Sequence, residues 1–133
     1  KYDFSSILES DFFVKDNSRI KIADLPIQVL KLNGSLFFGS MEFLFKTYSS
    51  SPKHEFLIID ISNIDMIDIS GVYALEDLIM GTVKNNIKVV VLNVNNYLES
   101  FLEKLKFSSN IGLENYLVSK SDVEIAVNKY FNL

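Results

Sequence analysis

Three carboxylates, Asp60, Asp65 and Asp68, stand within nine residues of one another directly after the apolar run Phe56-Leu57-Ile58-Ile59, and Ser70-Gly71 follows at once. Carboxylates so close in sequence can hold a hard cation such as Mg²⁺ through oxygen ligands. Each also has a simpler duty. Asp60 follows a strand interior, Asp65 sits in a polar turn and Asp68 can cap a helix, and neither a Lys nor a Gly-rich phosphate loop completes a catalytic site around them. The expectation is therefore no metal site and no resident cofactor. His54 is the sole histidine and follows Pro52-Lys53, with no Gly-x-Ser-x-Gly element anywhere, so it reads as a solvated loop residue and not as a catalytic base. The glycines Gly34, Gly39, Gly71, Gly81 and Gly112 are dispersed, and no dinucleotide or Walker-type run exists. With no nucleophile, base and stabiliser converging, the sequence predicts a protein that is not an enzyme.

Asp68-Ile69-Ser70-Gly71 places Ser70 at or just inside a helix N-terminus, where free backbone N–H groups and the helix dipole favour negative charge. A phosphate on Ser70 would be tolerated there and would add roughly −1.5 to −2 charges to a surface presented to partners. Asp and Ser ahead of an apolar-periodic run are also what any helix start looks like, so capping and switching both stand as readings. Ser70 is the candidate phospho-acceptor or switch, and Asp68, Ile69, Gly71 and Val72 form the candidate partner or ligand surface around it.

The elements that must position this turn follow from periodicity. Lys1 to Asp24 mix acids, Ser and Phe without a sustained period, although Ile20 and Ile22 alternate with charged neighbours like a short edge strand; residues 1–25 read as a lead-in segment and 26–133 as one domain. Val29 to Leu32, the turn dipeptide Asn33-Gly34 and Leu36-Phe37-Phe38 predict a β-hairpin. Met41, Leu44, Phe45 and Tyr48 then mark one helix face, with Ser40 as its N-cap. Phe56 to Ile61 predicts a strand buried on both faces, central in a sheet covered by helices. Leu75, Leu78, Ile79, Thr82 and Val83 predict a second helix that Asn85-Asn86 stops, and Lys88 to Leu92 predict another buried strand. Leu98, Phe101, Leu102 and Leu105 mark a third helix, and Tyr116-Leu117-Val118 an edge strand. A last helix carries Val123, Ala126, Val127, Tyr130 and Phe131, opened by Ser121 with Glu124 completing a capping box. The fold class is α/β, a single mixed sheet of four or five strands with about four helices.

Composition narrows the partners. The formal net charge of −4 comes from scattered acids and bases with no Lys/Arg cluster that could neutralise a row of phosphates, which excludes nucleic acid. Cysteine is absent, so disulfides and thiolate metal sites are excluded and a reducing cytosol fits. The longest apolar runs reach strand length only, well short of the ~20 residues that cross a bilayer. A chain that begins at Lys1 without a signal-peptide pattern reads as a piece of something longer.

Taken together, Val29 to Ser40, Leu57-Ile58-Ile59-Asp60-Ile61-Ser62, Ile67 to Leu78, Asn86 to Leu92 and Val118 to Ala126 resemble the STAS domain of SulP (sulfate permease-like) anion transporters. The Asp-x-Ser-Gly turn is similar both to that branch and to the bacterial anti-sigma-factor antagonists, whereas the Gly-x-Leu-Phe-Phe-Gly element at Gly34 to Gly39 is similar to the SulP branch. The resemblance implies an STAS fold and a cytoplasmic regulatory and interaction module at the inner or plasma membrane. The partners it implies are the membrane domain of the same transporter, a regulatory protein or a second copy of the chain. It also implies a phospho-acceptor at Ser70, and it leaves room for GTP or GDP without a standard phosphate loop. Ile69 stands where family members often carry a second Ser or Thr. The short linker from Ser49 to Glu55 looks like the bacterial transporter form. The alternative is a free-standing anti-sigma-factor antagonist released by phosphorylation of Ser70.

Overall fold

Three successive parallel crossovers of an α/β chain can wind in one direction only if each keeps the same hand, and their helices then land on the same side of the sheet. That is the arrangement here. The computed structural model describes residues 2–6, 25–36, 41–49 and 53–132. Strands β1 (Tyr2–Ser6), β2 (Ile27–Leu36), β3 (Phe56–Ile67), β4 (Lys88–Leu92) and β5 (Tyr116–Leu117) form one sheet whose spatial order is their chain order. β1 runs antiparallel to β2, and every later pair is parallel. Helices α1 (Met41–Ser49), α2 (Ile69–Lys84), α3 (Asn96–Lys104) and α4 (Phe107–Ile111) connect the parallel strands, a 3₁₀ turn at Leu113–Asn115 leads into β5, and α5 (Lys120–Phe131) closes the chain.

The two faces of the sheet carry separate cores. Leu30, Leu32, Leu57, Ile59, Ile61, Val89 and Val91 pack with Leu44 of α1, Val72, Leu75 and Ile79 of α2, Leu98 and Leu102 of α3, and Phe107 and Ile111 of α4. On the opposite face Ile27, Val29, Phe56, Ile58, Val90 and Leu92 pack with Val123 and Val127 of α5. Phe56 to Ile61 are buried without a break, as their continuous apolar run requires of a strand with helices on both sides. β3 lies between β2 and β4, in the centre, as expected.

The expected hairpin is not formed. β2 continues through Asn33-Gly34, with β1 on one side and β3 on the other, so Leu36 pairs forward with Ile67 instead of folding back. Gly34 adopts a φ of +83° where the β2–β3 register shifts, a conformation that glycine enters without a Cβ penalty. Between the pairs Lys31↔Asp60 and Leu36↔Ile67, β2 advances five residues and β3 seven, so β3 carries two extra residues as bulges. β3 therefore reaches Ile67, and Asp65, expected in a polar turn, lies within the strand.

Smaller differences have local causes. α4 spans five residues, too few to register a helical period. The cap of α5 is Ser119, whose Oγ accepts the N–H of Asp122 at 3.2 Å, so the helix opens two residues before the expected Ser121. Asn85 and Asn86 do stop α2, Asn86 with a φ of 64°. Tyr2–Ser6, within the stretch read as a lead-in, supply β1. The strand expected at Ile20 to Ile22, the strand end at Phe37-Phe38 and the Ser40 cap lie outside the described residues.

Ile59 is fully buried in the central strand, so Ile59→Ala should cost about 2–5 kcal/mol. Ile125→Ala, on the exposed side of α5, should stay within about 0.5 kcal/mol of wild type. Urea unfolding of both variants, read as a shift of midpoint at constant m-value, checks the pair.

Candidate functional site

The second bulge delivers β3 to Ile67, and the chain turns into α2 over a single residue. Asp68 is that residue. Its backbone is extended (φ −100°, ψ 175°), and its Oδ1 accepts the N–H of Gly71 at 2.6 Å. The N–H of Val72 donates to the Asp68 carbonyl at 3.0 Å, closing the first helical turn. This is an N-cap in which a carboxylate also meets the positive end of the helix dipole. Ser70 is the second helical residue, exposed, and takes no part in the cap.

Gly71 is buried where α2 begins against the end of β2. A Cβ at this position would lie 2.5 Å from the carbonyl oxygen of Leu36 and 3.1 Å from Cγ1 of Ile67. Only a residue without a side chain lets the helix start this close to the strand end. Val72 is fully buried in the core. The expected surface is corrected accordingly: Gly71 and Val72 point inward and are packed, and Asp68, Ile69 and Ser70 form its exposed part.

The acidic trio is dispersed in function. Asp60 is 5% exposed and its Oδ1 accepts the N–H of Ser62 at 2.9 Å, at the first bulge; Asp65 is exposed; Asp68 is the cap. Among the described residues no three His, Cys, Asp or Glu side chains stand close enough to share a metal ion. His54 departs from expectation. It is 9% exposed, its Nε2 lies 2.8 Å from the Tyr48 hydroxyl, and the two rings meet edge to face. A loop histidine is drawn inward here because the aromatic at the end of α1 offers both a ring face and a hydroxyl. Burial raises the pKa of Tyr48 above its ordinary value.

Beside the Asp68 turn lies a second feature that the sequence pattern did not reveal. The β4–α3 turn is stitched to β3 where the Val94 N–H donates to Ser62 Oγ at 2.9 Å, and within the turn the Asn95 N–H donates to Asn93 Oδ1 at 2.9 Å. Asn95 caps α3 through the Tyr97 N–H at 2.9 Å. Tyr116 of β5 accepts from Asn93 Nδ2 at 3.0 Å and donates to Glu99 of α3 at 2.6 Å. Burial first, and then that bond to the Glu99 carboxylate, hold the Tyr116 phenol protonated well above its usual pKa. The result is a fixed first turn of α3 that presents Tyr97, 80% exposed, over a cleft of about 360 Å³ lined by Asp65, Met66, Ile67, Leu98 and Phe101. The sequence signal that could have located it is the run Asn93-Val94-Asn95-Asn96, whose short polar side chains bond to nearby backbone.

A model of the STAS domain family matches residues 20–120. Among curated proteins, Sulfate transporter 1.2 of Arabidopsis thaliana is 34% identical over 85 residues, 63% of this chain; the chain spans 13% of that protein's length. The crystal structure of a sulfate transporter family protein from Wolinella succinogenes superposes with a TM-score of 0.69 at 17% identity, covering 90% of this chain and all of that one. The STAS domain of a SulP transporter from Vibrio cholerae superposes with a TM-score of 0.64 at 24% identity, covering 83% of this chain and 86% of that one. At these identities the two structures establish a shared fold.

Two glycines of α2 provide an internal control. Gly71→Ala should destabilise by about 1–3 kcal/mol through the clash with the Leu36 carbonyl. Gly81→Ala, with nothing within 4 Å of the added Cβ, should stabilise the helix by about 0.5–1 kcal/mol. Likewise Asp68→Ala should lose the ~1 kcal/mol of a cap, whereas Ser70→Ala should leave the melting curve unmoved.

Proposed function

The chain belongs to the STAS domain family, and from that membership we propose that it is the cytoplasmic regulatory and interaction domain of a SulP-like anion transporter. The observation that carries this reading is the state of Ser70: exposed, beside a helix start that Asp68 already caps, and set on backbone held rigid by Gly71 against β2. A charge or a partner arriving there meets a fixed platform. The relation to sulfate transporters rests on the 34% identity with a transporter of which the matched region is a small part. No helix among the described residues is long and apolar enough to cross a membrane, so the membrane-spanning part would lie elsewhere in the protein.

The domain works by contact, without turnover. Three of the residues that could have done chemistry have structural partners: His54 meets Tyr48, Asp60 accepts the Ser62 N–H and Asp68 accepts the Gly71 N–H. Its first partner is the membrane domain of the same transporter, and phosphorylation of Ser70 changes that contact by adding charge at a helix N-terminus that tolerates it.

Ser70→Asp should leave domain stability within well under ~1 kcal/mol of wild type while altering anion uptake in the full-length transporter. Ser70→Ala, which keeps the site neutral, should remain close to wild type in both. Uptake assays beside thermal melts decide the matter. Unchanged uptake for both variants would remove Ser70 from regulation, and unchanged uptake after deletion of the whole domain would remove the regulatory role itself.

A further inference from the structure

The carboxyl end of β3 exposes more apolar side chain than a solvated edge requires. Met66 is 58% exposed and Tyr97 80% exposed on the cleft that Asp65 borders, with Leu98 and Phe101 in its wall. Ile69, two residues beyond the cleft-lining Ile67, and Tyr73, one turn further along α2, are each 51% exposed. Met66 and Tyr97 share the cleft, and Ile69 and Tyr73, four residues apart on one face of α2, follow directly from the same strand end; exposed apolar groups in such a series mark an interaction surface, whereas single ones do not. Two of the four are tyrosines, which combine large contact area with little conformational freedom to lose.

The segments that form this surface contribute charge of one sign. No Lys or Arg occurs between His54 and Val83 or between Val89 and Glu103, the stretches that supply all of β3, the start of α2 and the first two turns of α3. Asp65 and Asp68 are exposed there, and Glu99 is partly exposed. Such a face repels an anionic lipid surface and repels a second copy of itself, and it attracts a cationic segment that also carries apolar side chains. Cytoplasmic loops of membrane proteins are enriched in Lys and Arg. We propose that the surface formed by Met66, Ile69, Tyr73 and Tyr97, edged by Asp65 and Asp68, docks a basic amphipathic segment of the transporter's membrane domain. This rests on the assignment of the chain to a transporter.

The 133-residue chain is titrated with an 18-residue amphipathic helical peptide of Leu and Lys, with its Leu/Glu counterpart, and with phosphatidylserine vesicles, using calorimetry and backbone amide shifts. The Leu/Lys peptide binds, shifts amides around Met66, Ile69 and Tyr97, and loses affinity as salt rises. Asp65→Lys and Tyr97→Ser, both changes at exposed positions, weaken it by about tenfold or more with unchanged melting. Glu114→Lys, an exposed charge reversal outside this surface, changes it by no more than about twofold. Equal binding by Asp65→Lys, preference for the Leu/Glu peptide, or binding to the vesicles instead overturns the proposal. Failure of peptide binding while uptake still responds to Ser70→Asp removes the docking surface and leaves the transporter assignment standing. Peptide binding with uptake indifferent to deletion of the domain removes the assignment, and with it the membrane domain as partner.

Discussion

The central strand must be dry on both faces. From Phe56 to Ile61 every residue of β3 is buried, and each fully buried aliphatic there is worth about 1.5–3 kcal/mol. One layer of helices cannot supply that cover. Since the parallel strands follow one another in chain order, their crossover helices α1 to α4 all lie on one face, and α5 must return beneath the other. The short strand β5 serves this return: it pairs with β4 over two residues and leads the chain into α5. The last helix is thus integral to the core, with Val123 and Val127 fully buried against Ile58 and Val90.

The same strand changes character after Asp60. Burial at every position gives way to buried Ile64 and Ile67 separated by the exposed pair Asp65 and Met66, because two bulges interrupt the strict alternation of a flat strand. The first bulge is stabilised by the Asp60 carboxylate on the Ser62 N–H, and the Ser62 hydroxyl in turn holds the β4–α3 turn through Val94. The bulges bring Asp65 and Met66 to the surface and deliver Asp68 to the point where Gly71 slides under the Leu36 carbonyl. Core packing and surface presentation are therefore set by one stretch, Asp60 to Val72. That stretch also contains the sequence's most informative motif.

Much of this was legible in the residues. The continuous apolar runs at Phe56 and Val89, the helical spacing of Leu75, Leu78 and Ile79, and the Asp68 cap ahead of Ser70 correspond to β3, β4, α2 and its start. Asn33-Gly34 was misleading because the same dipeptide that closes a two-residue hairpin can also supply a positive φ inside a bulged strand; the partner strand decides which, and β1 is distant in sequence. Local spacing could not show that Gly71 and Val72 face inward, since that depends on how closely β2 approaches. Nor could it foresee His54 on Tyr48, or Tyr97 and Met66 on one cleft. Each of those pairs is brought together by tertiary structure across a loop or a crossover.

A regulatory contact at Ser70 requires that the α2 start be a rigid platform locked to the sheet and not a frayed helix end. Native-state hydrogen exchange at the Gly71 and Val72 amides measures this directly. If the Asp68 cap and the Leu36 approach hold as described, both amides exchange only through the global opening that releases Ile58 and Ile59, with the same free energy and the same denaturant dependence. Exchange of Gly71 and Val72 through a low-energy local opening, while β3 stays protected, would contradict it.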